Sequence, residues 1–128
     1  ELFHGYTYSG HPVACAAALA TLDIYRDEGL FDNAAKMAPF IEQAAHSLKG
    51  TKHIIDIRNL GVIAALELEP RGNAVGARGF ETMKKAWEMG LMVRANGDPL
   101  AFSPPLIVNE SQIDEMFTKV KQSLEQVD

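Results

Sequence analysis

Residues 53–69 read His53-Ile-Ile-Asp-Ile-Arg-Asn-Leu-Gly61-Val-Ile-Ala-Ala-Leu-Glu-Leu-Glu69. Two alternating runs flank a short break. Ile55 and Ile57 alternate with Asp56 and Arg58, and Ala64, Leu66 and Leu68 alternate with Ala65, Glu67 and Glu69. A period of two sends successive side chains to opposite faces, so the pattern predicts half-buried strands over 53–58 and 62–69. Asn59-Leu60-Gly61 is a short connection whose glycine can adopt an unusual dihedral, which predicts an antiparallel hairpin.

Helical periodicity surrounds this hairpin. Upstream, Leu30, Ala34, Met37, Ile41, Ala45 and Leu48 recur at helical spacing and end at Gly50. Pro39 within that run predicts a kink or a late start. Before it, a helix is expected from about Pro12 to Arg26, with Val13, Ala16, Ala17, Ala20 and Ile24 at helical spacing and Gly29 as its stop. Downstream, Pro70 to Arg78 reads as a polar, Gly-containing loop. Gly79 to Met89 reads as a third helix, with Phe80, Met83, Ala86 and Trp87 on one face. Leu91–Arg94 and Leu100–Ser103 read as short strands joined by the turn Asn96-Gly97-Asp98-Pro99. Asn109 and Gln112 form a capping-box pattern ahead of a last helix striped by Ile113, Phe117, Val120 and Leu124. The expected architecture is α+β: a helical N-terminal arm (1–26), then a small domain (27–128) with a mainly antiparallel sheet of three or four strands covered by helices.

The 128 residues, 47% apolar and 23% charged, suffice for one domain with a real core. A net charge of −5 without a basic stripe argues against nucleic-acid binding. No apolar run approaches membrane-spanning length, and no signal peptide is visible. The single cysteine, Cys15, excludes an internal disulfide, fits a cytoplasmic protein and reads as a buried filler among alanines. No metal site suggests itself, because His4, His11, His46 and His53 stand at no ligand-like spacing. Asp27/Glu28 and Glu67/Glu69 read as solvent-facing charges.

Two stretches carry chemistry. In His4-Gly-Tyr-Thr-Tyr-Ser-Gly-His-Pro12, three hydroxyls lie between Gly5 and Gly10 and run into a helix N-terminus, an arrangement that favours an anion such as phosphate. The same residue types also suit an ordinary capped helix start. Arg94, at a strand end before a tight turn, is placed to grip a carboxylate through two parallel N–H donors, or to serve as a surface arginine.

The order of residues 4–17, His-Gly-Tyr-Thr-Tyr-Ser-Gly-His-Pro-Val-Ala-Cys-Ala-Ala, resembles a segment of the class III aminotransferases that use pyridoxal phosphate (PLP). Val93-Arg-Ala-Asn-Gly-Asp-Pro-Leu-Ala-Phe-Ser-Pro-Pro-Leu-Ile107 resembles a stretch of the β-alanine–pyruvate and ω-amino-acid–pyruvate transaminases. Gly61 and Glu67 sit in a segment similar to that family's strand pair. Two long motifs in the family's order extend the resemblance over essentially the whole chain.

The resemblance implies the C-terminal small domain of a fold-type I enzyme that moves an amino group from an ω- or β-amino acid to pyruvate. It implies that Arg94 binds the substrate carboxylate. It also implies that Thr7, with the backbone of Gly5 and Tyr6, reaches the PLP phosphate held by the second subunit of a homodimer or tetramer. The family places its Schiff-base lysine, pyridine-nitrogen partner and phosphate cup upstream of this segment. None of Lys36, Lys49, Lys52, Lys84, Lys85, Lys119 or Lys121 stands in the cofactor-lysine context, so this chain is expected to be a fragment, inactive alone. The alternative is a freestanding non-catalytic α+β module that binds a small anion or mediates assembly.

Overall fold

The computed structural model describes residues 3–128; Glu1 and Leu2, the first residues of the expected arm, lie outside the described residues. Helices α1 (Pro12–Asp27) and α2 (Leu30–His46) are followed by strands β1 (Ile54–Leu60) and β2 (Ile63–Leu68). Helix α3 (Ala77–Glu88), strands β3 (Arg94–Ala95) and β4 (Leu100–Phe102) and helix α4 (Glu110–Glu125) complete the order. The four strands form an antiparallel sheet in the order β1-β2-β4-β3, and the fold is α+β. The chain divides into two compact units, Glu1–Phe31 and Asp32–Asp128.

In the second unit, Leu66 and Leu68 from β2 and Leu100 and Phe102 from β4 form one face of the core. Met37, Ile41, Ala45, Ala86, Ile113, Phe117, Val120 and Leu124 from the three helices close over them. Strand alternation explains the choice of residues: Ala64, Leu66 and Leu68 point inward while Ala65 and Glu67 point outward. Helix α4 begins with the expected capping box, in which the Asn109 side chain accepts from the Gln112 N–H and the Gln112 side chain accepts from the Asn109 N–H. The residues just beyond its C-terminal end accept from four basic side chains. Lys52 Nζ and His53 Nε2 donate to the Val127 carbonyl at 3.3 and 3.1 Å, and Arg71 and Arg78 donate to the carbonyl of Asp128. This placement suits the negative end of the helix dipole. Buried Arg78 also donates to the carbonyl of Glu69.

Several sequence expectations change. The hairpin turn is two residues, Gly61-Val62, because β1 extends to Leu60 opposite Ile63; Gly61 takes φ +57. A register irregularity near Ile55 leaves that side chain exposed. Helix α2 runs unbroken through Pro39, so it does not start late. Leu91–Val93 is not strand. The Leu91 N–H bonds back to the Ala86 carbonyl and the Gly90 N–H to that of Trp87, with Gly90 at φ +77, so the helix cap uses the donor a ladder would need. Helix α3 buries Gly79, Thr82 and Ala86, with Met83 packed against the core, while Phe80 and Trp87 remain exposed. Cys15 is exposed, because α1 buries none of its residues within its own unit. No helix of the described residues is long and apolar enough to cross a membrane.

Candidate functional site

The first unit presents the hydroxyl loop. Gly10 takes φ +75, and the Ser9 N–H donates to the Tyr6 carbonyl at 3.1 Å, which tightens the loop into a turn. Gly5, Tyr6, Thr7, Tyr8 and Ser9 are all exposed. Pro12 occupies the first turn of α1, and His11, at the N-cap, forms no side-chain cap. The first helical acceptor used is the His11 carbonyl, bonded by Cys15 N–H at 2.9 Å. The N–H groups of Val13 and Ala14 are therefore left without intrahelical acceptors at the positive end of the helix. The loop's donors and the absence of an acidic residue in the first turn fit a phosphate group.

The second unit presents Arg94. It opens β3 and faces Ala101 on β4, which faces Ala65 on β2, which in turn faces Arg58 on β1. Directly paired residues share a face, so Arg58 and Arg94 flank an alanine floor on the sheet side opposite the core. The two arginines differ in state. The Arg58 fork is filled by Asp56 and Glu67, each at 2.6 Å, and their hydrogen bonds raise its pKa, with Glu67 contributing most. Arg26 engages Asp23 and Asp27, Arg71 engages Glu81, and Arg78 engages backbone carbonyls. Among the described residues, no side-chain hydrogen bond or ion pair occupies Arg94, which is exposed. It stands at a cleft of about 500 Å³ whose walls include Leu91, Val93, Phe102, Pro104, Pro105 and Met116. A free fork beside apolar walls can hold a carboxylate in a partly dry setting, where a charged pair is strengthened.

The remaining candidates are peripheral. Glu67 is an ion-pair partner rather than a free solvent charge, and Glu69 is largely exposed. His46 Nε2 lies 2.9 Å from Asn59 Oδ1 on an exposed surface. His53, expected at a strand edge, instead precedes β1 with φ +72. Burial is the largest influence on its ring and pushes its pKa down; Arg78 and Lys52 act in the same direction, against the hydrogen bond to Val127. Among the described residues, no group of three metal-ligating side chains gathers. Asp98 went unremarked in the sequence except as a turn residue, yet it is buried and accepts from the backbone of two glycines. The Gly-Asp-Pro turn was the only signal available, and it does not reveal the partner.

The model of the aminotransferase class-III family matches residues 1–124. The omega-aminotransferase of Caulobacter vibrioides is 49% identical over 128 residues, covering all of this chain and 29% of that protein. The beta-alanine–pyruvate aminotransferase of Pseudomonas aeruginosa is 44% identical over 97% of this chain and 28% of its own length. A crystal structure of a thermostable omega transaminase mutant from Pseudomonas jessenii superposes with a TM-score of 0.88 at 37% identity, covering 98% of this chain and 29% of that one. The chain thus spans under a third of the length of these relatives.

Proposed function

The chain belongs to the class-III aminotransferases, and we propose that the protein it forms part of transfers an amino group from an ω- or β-amino acid to pyruvate. The observation that carries this reading is the open fork of Arg94 at an apolar cleft, while the other arginines are engaged by carboxylates or backbone carbonyls. Pyruvate and its product alanine both carry a carboxylate beside the reacting carbon. In this reading Arg94 binds that carboxylate and orients the carbon, and the cleft wall receives the rest of the molecule. A donor without a carboxylate needs only that the guanidinium step aside, which an exposed arginine at a two-residue edge strand can do.

The cofactor is PLP, which supplies an electron sink at the reacting carbon when bound. Thr7, with the backbone of Gly5 and Tyr6 and the free N–H groups opening α1, forms a phosphate partner, which we assign to the site of a second subunit in a homodimer or tetramer. Residues 1–26 act as the interface arm and 27–128 as the small domain of a cytoplasmic enzyme. The chain contributes binding groups and no cofactor lysine, so alone it is expected to be inactive.

The test is Arg94→Ala in the full-length enzyme, with each half-reaction followed in single turnovers. Losing a desolvated arginine–carboxylate pair is expected to cost about 2–5 kcal/mol with alanine and pyruvate. An arylalkylamine without a carboxylate should lose little in its own half-reaction. Arg94→Lys should rescue poorly, because an ammonium offers a point charge and no fork. Equal losses for alanine and the arylalkylamine would make Arg94 structural and overturn the reading.

A further inference from the structure

Asp98 is a buried carboxylate, 3% exposed, in the turn that returns β3 to β4. The turn is closed by the Asn96 N–H donating to the Pro99 carbonyl at 2.9 Å. Asp98 Oδ2 accepts from the Gly76 N–H at 2.7 Å, and Oδ1 accepts from the Gly79 N–H at 3.3 Å. Gly76 is the N-cap of α3, in the left-handed region at φ +84, and has no side chain to cap its own helix. The carboxylate of a turn 22 residues away takes that place, at the positive end of the helix dipole.

A second contact fastens the same two pieces. A Cβ at Gly79 would lie 2.3 Å from the Gly97 carbonyl oxygen and 2.8 Å from that of Asp98. The first turn of α3 therefore meets the backbone of the 96–99 turn at a separation that only glycine permits. On the other side of β3, the Leu91 N–H is bonded to the Ala86 carbonyl and Val93 is buried in the core, but no strand pairing supports the segment. Strand β3 itself is two residues long, paired only through Arg94 with Ala101 and Ala95 with Leu100.

We propose that Asp98 is the positioning residue of Arg94. Seated on the N–H groups of Gly76 and Gly79, its carboxylate holds the 96–99 turn against α3 and so fixes where the guanidinium stands at the cleft. The strength of carboxylate binding is thereby set at the start of α3. The inference rests on the carboxylate-binding reading of Arg94 and adds the device that makes such a short edge strand a precise support.

The experiment compares Asp98→Ala, Asp98→Asn and Gly79→Ala with Arg94→Ala in the full-length, PLP-loaded enzyme. Removing the carboxylate, or wedging a methyl between α3 and the turn, is expected to raise KM for alanine by about tenfold or more, with kcat changed by no more than about threefold. The rate with an arylalkylamine should stay within about twofold. Asp98→Asn should recover part of the loss, since its amide oxygen still accepts from one glycine. In an Arg94→Ala background, Asp98→Ala should add less than about twofold to the alanine defect. If Asp98→Ala does not yield holoenzyme, Asp98→Asn and Gly79→Ala carry the same comparison. Equal losses on both substrates, an unchanged KM for alanine, or full additivity with Arg94→Ala would overturn the positioning role. A non-selective Arg94→Ala would refute the carboxylate reading itself, whereas a selective Arg94→Ala beside a non-selective Asp98 series would refute positioning alone.

Discussion

Helices α1 and α4 are both 16 residues long, and they meet opposite fates. Helix α4 opens with a complete capping box and buries Ile113, Phe117, Val120 and Leu124 at helical spacing. Helix α1 opens at a proline without a side-chain cap and buries nothing, leaving Val13, Leu19, Leu22 and Ile24 exposed. The difference lies in the partner each face finds. The α4 stripe matches a sheet within its own unit, whereas the apolar residues of α1 surround the helix, and among the described residues of the Glu1–Phe31 unit no core cluster receives them. An isolated helix of this length is marginal in water. The more motif-dense region of the chain is thus the one with the least packing of its own.

The sharpest way to break this comparison is the same substitution in both helices. Leu124→Ala, at a fully buried site, should cost about 2–5 kcal/mol in urea unfolding. Leu19→Ala, 65% exposed, should change stability by no more than about 0.5 kcal/mol. Similar costs at the two positions would mean that α1 has a packing partner of its own in the isolated chain.

A smaller effect asks whether the arm serves a site outside itself. In the full-length enzyme, Thr7→Ala should weaken PLP retention by about 1.5–3 kcal/mol, the worth of a hydrogen bond to a charged acceptor. In mixed dimers that pair Thr7→Ala on one subunit with an inactivated cofactor lysine on one subunit or the other, the defect should follow the partner's site. Undiminished cofactor affinity in every pairing would remove the arm's assigned role.

The smallest expected effect belongs to the packed unit. Burial holds the His53 ring below its ordinary pKa of 6.5, so the unfolded chain takes up the proton first. Stability from this residue is complete above about pH 6.5 and declines as pH falls, levelling off below the depressed folded value. His53→Asn tolerates the positive φ and removes the titration, so the slope of stability between neutral and mildly acidic pH should flatten. An unchanged slope would assign the acid sensitivity to other groups.

Local signals made much of this legible in the sequence. The α4 cap and stripe, the α2 face and the alternation of β2 each depend on residues a few positions apart, where covalent spacing alone sets the geometry. Arg94 was legible as a residue beside the Gly-Asp-Pro turn, although it opens β3 rather than closing a strand over 91–94, and the Thr7 loop was legible as a glycine-bounded turn before a helix. Leu91–Val93 was misread because apolar character cannot show that the Leu91 N–H is already committed to a helix cap. Cys15 was misread because an alanine-rich helix reads as buried whether or not a partner is present.

The amino-acid order by itself therefore determined the four helices, the β1–β2 hairpin, the mainly antiparallel character of the sheet and the family to which the chain belongs. Tertiary structure decided the orientation of α3 and the support of Arg94. Phe80, Met83, Ala86 and Trp87 looked like the core face of α3 by apolarity; Met83 and Ala86 do pack on the core, yet Phe80 and Trp87 are exposed while Gly79 and Thr82 turn inward. The reason is volume and charge at a distance. The helix start must come within contact of Gly97 and receive the Asp98 carboxylate, so Gly79 faces the turn and the bulky Phe80 beside it is left outside. That constraint joins positions 18 to 22 residues apart, beyond the reach of any helical or strand period.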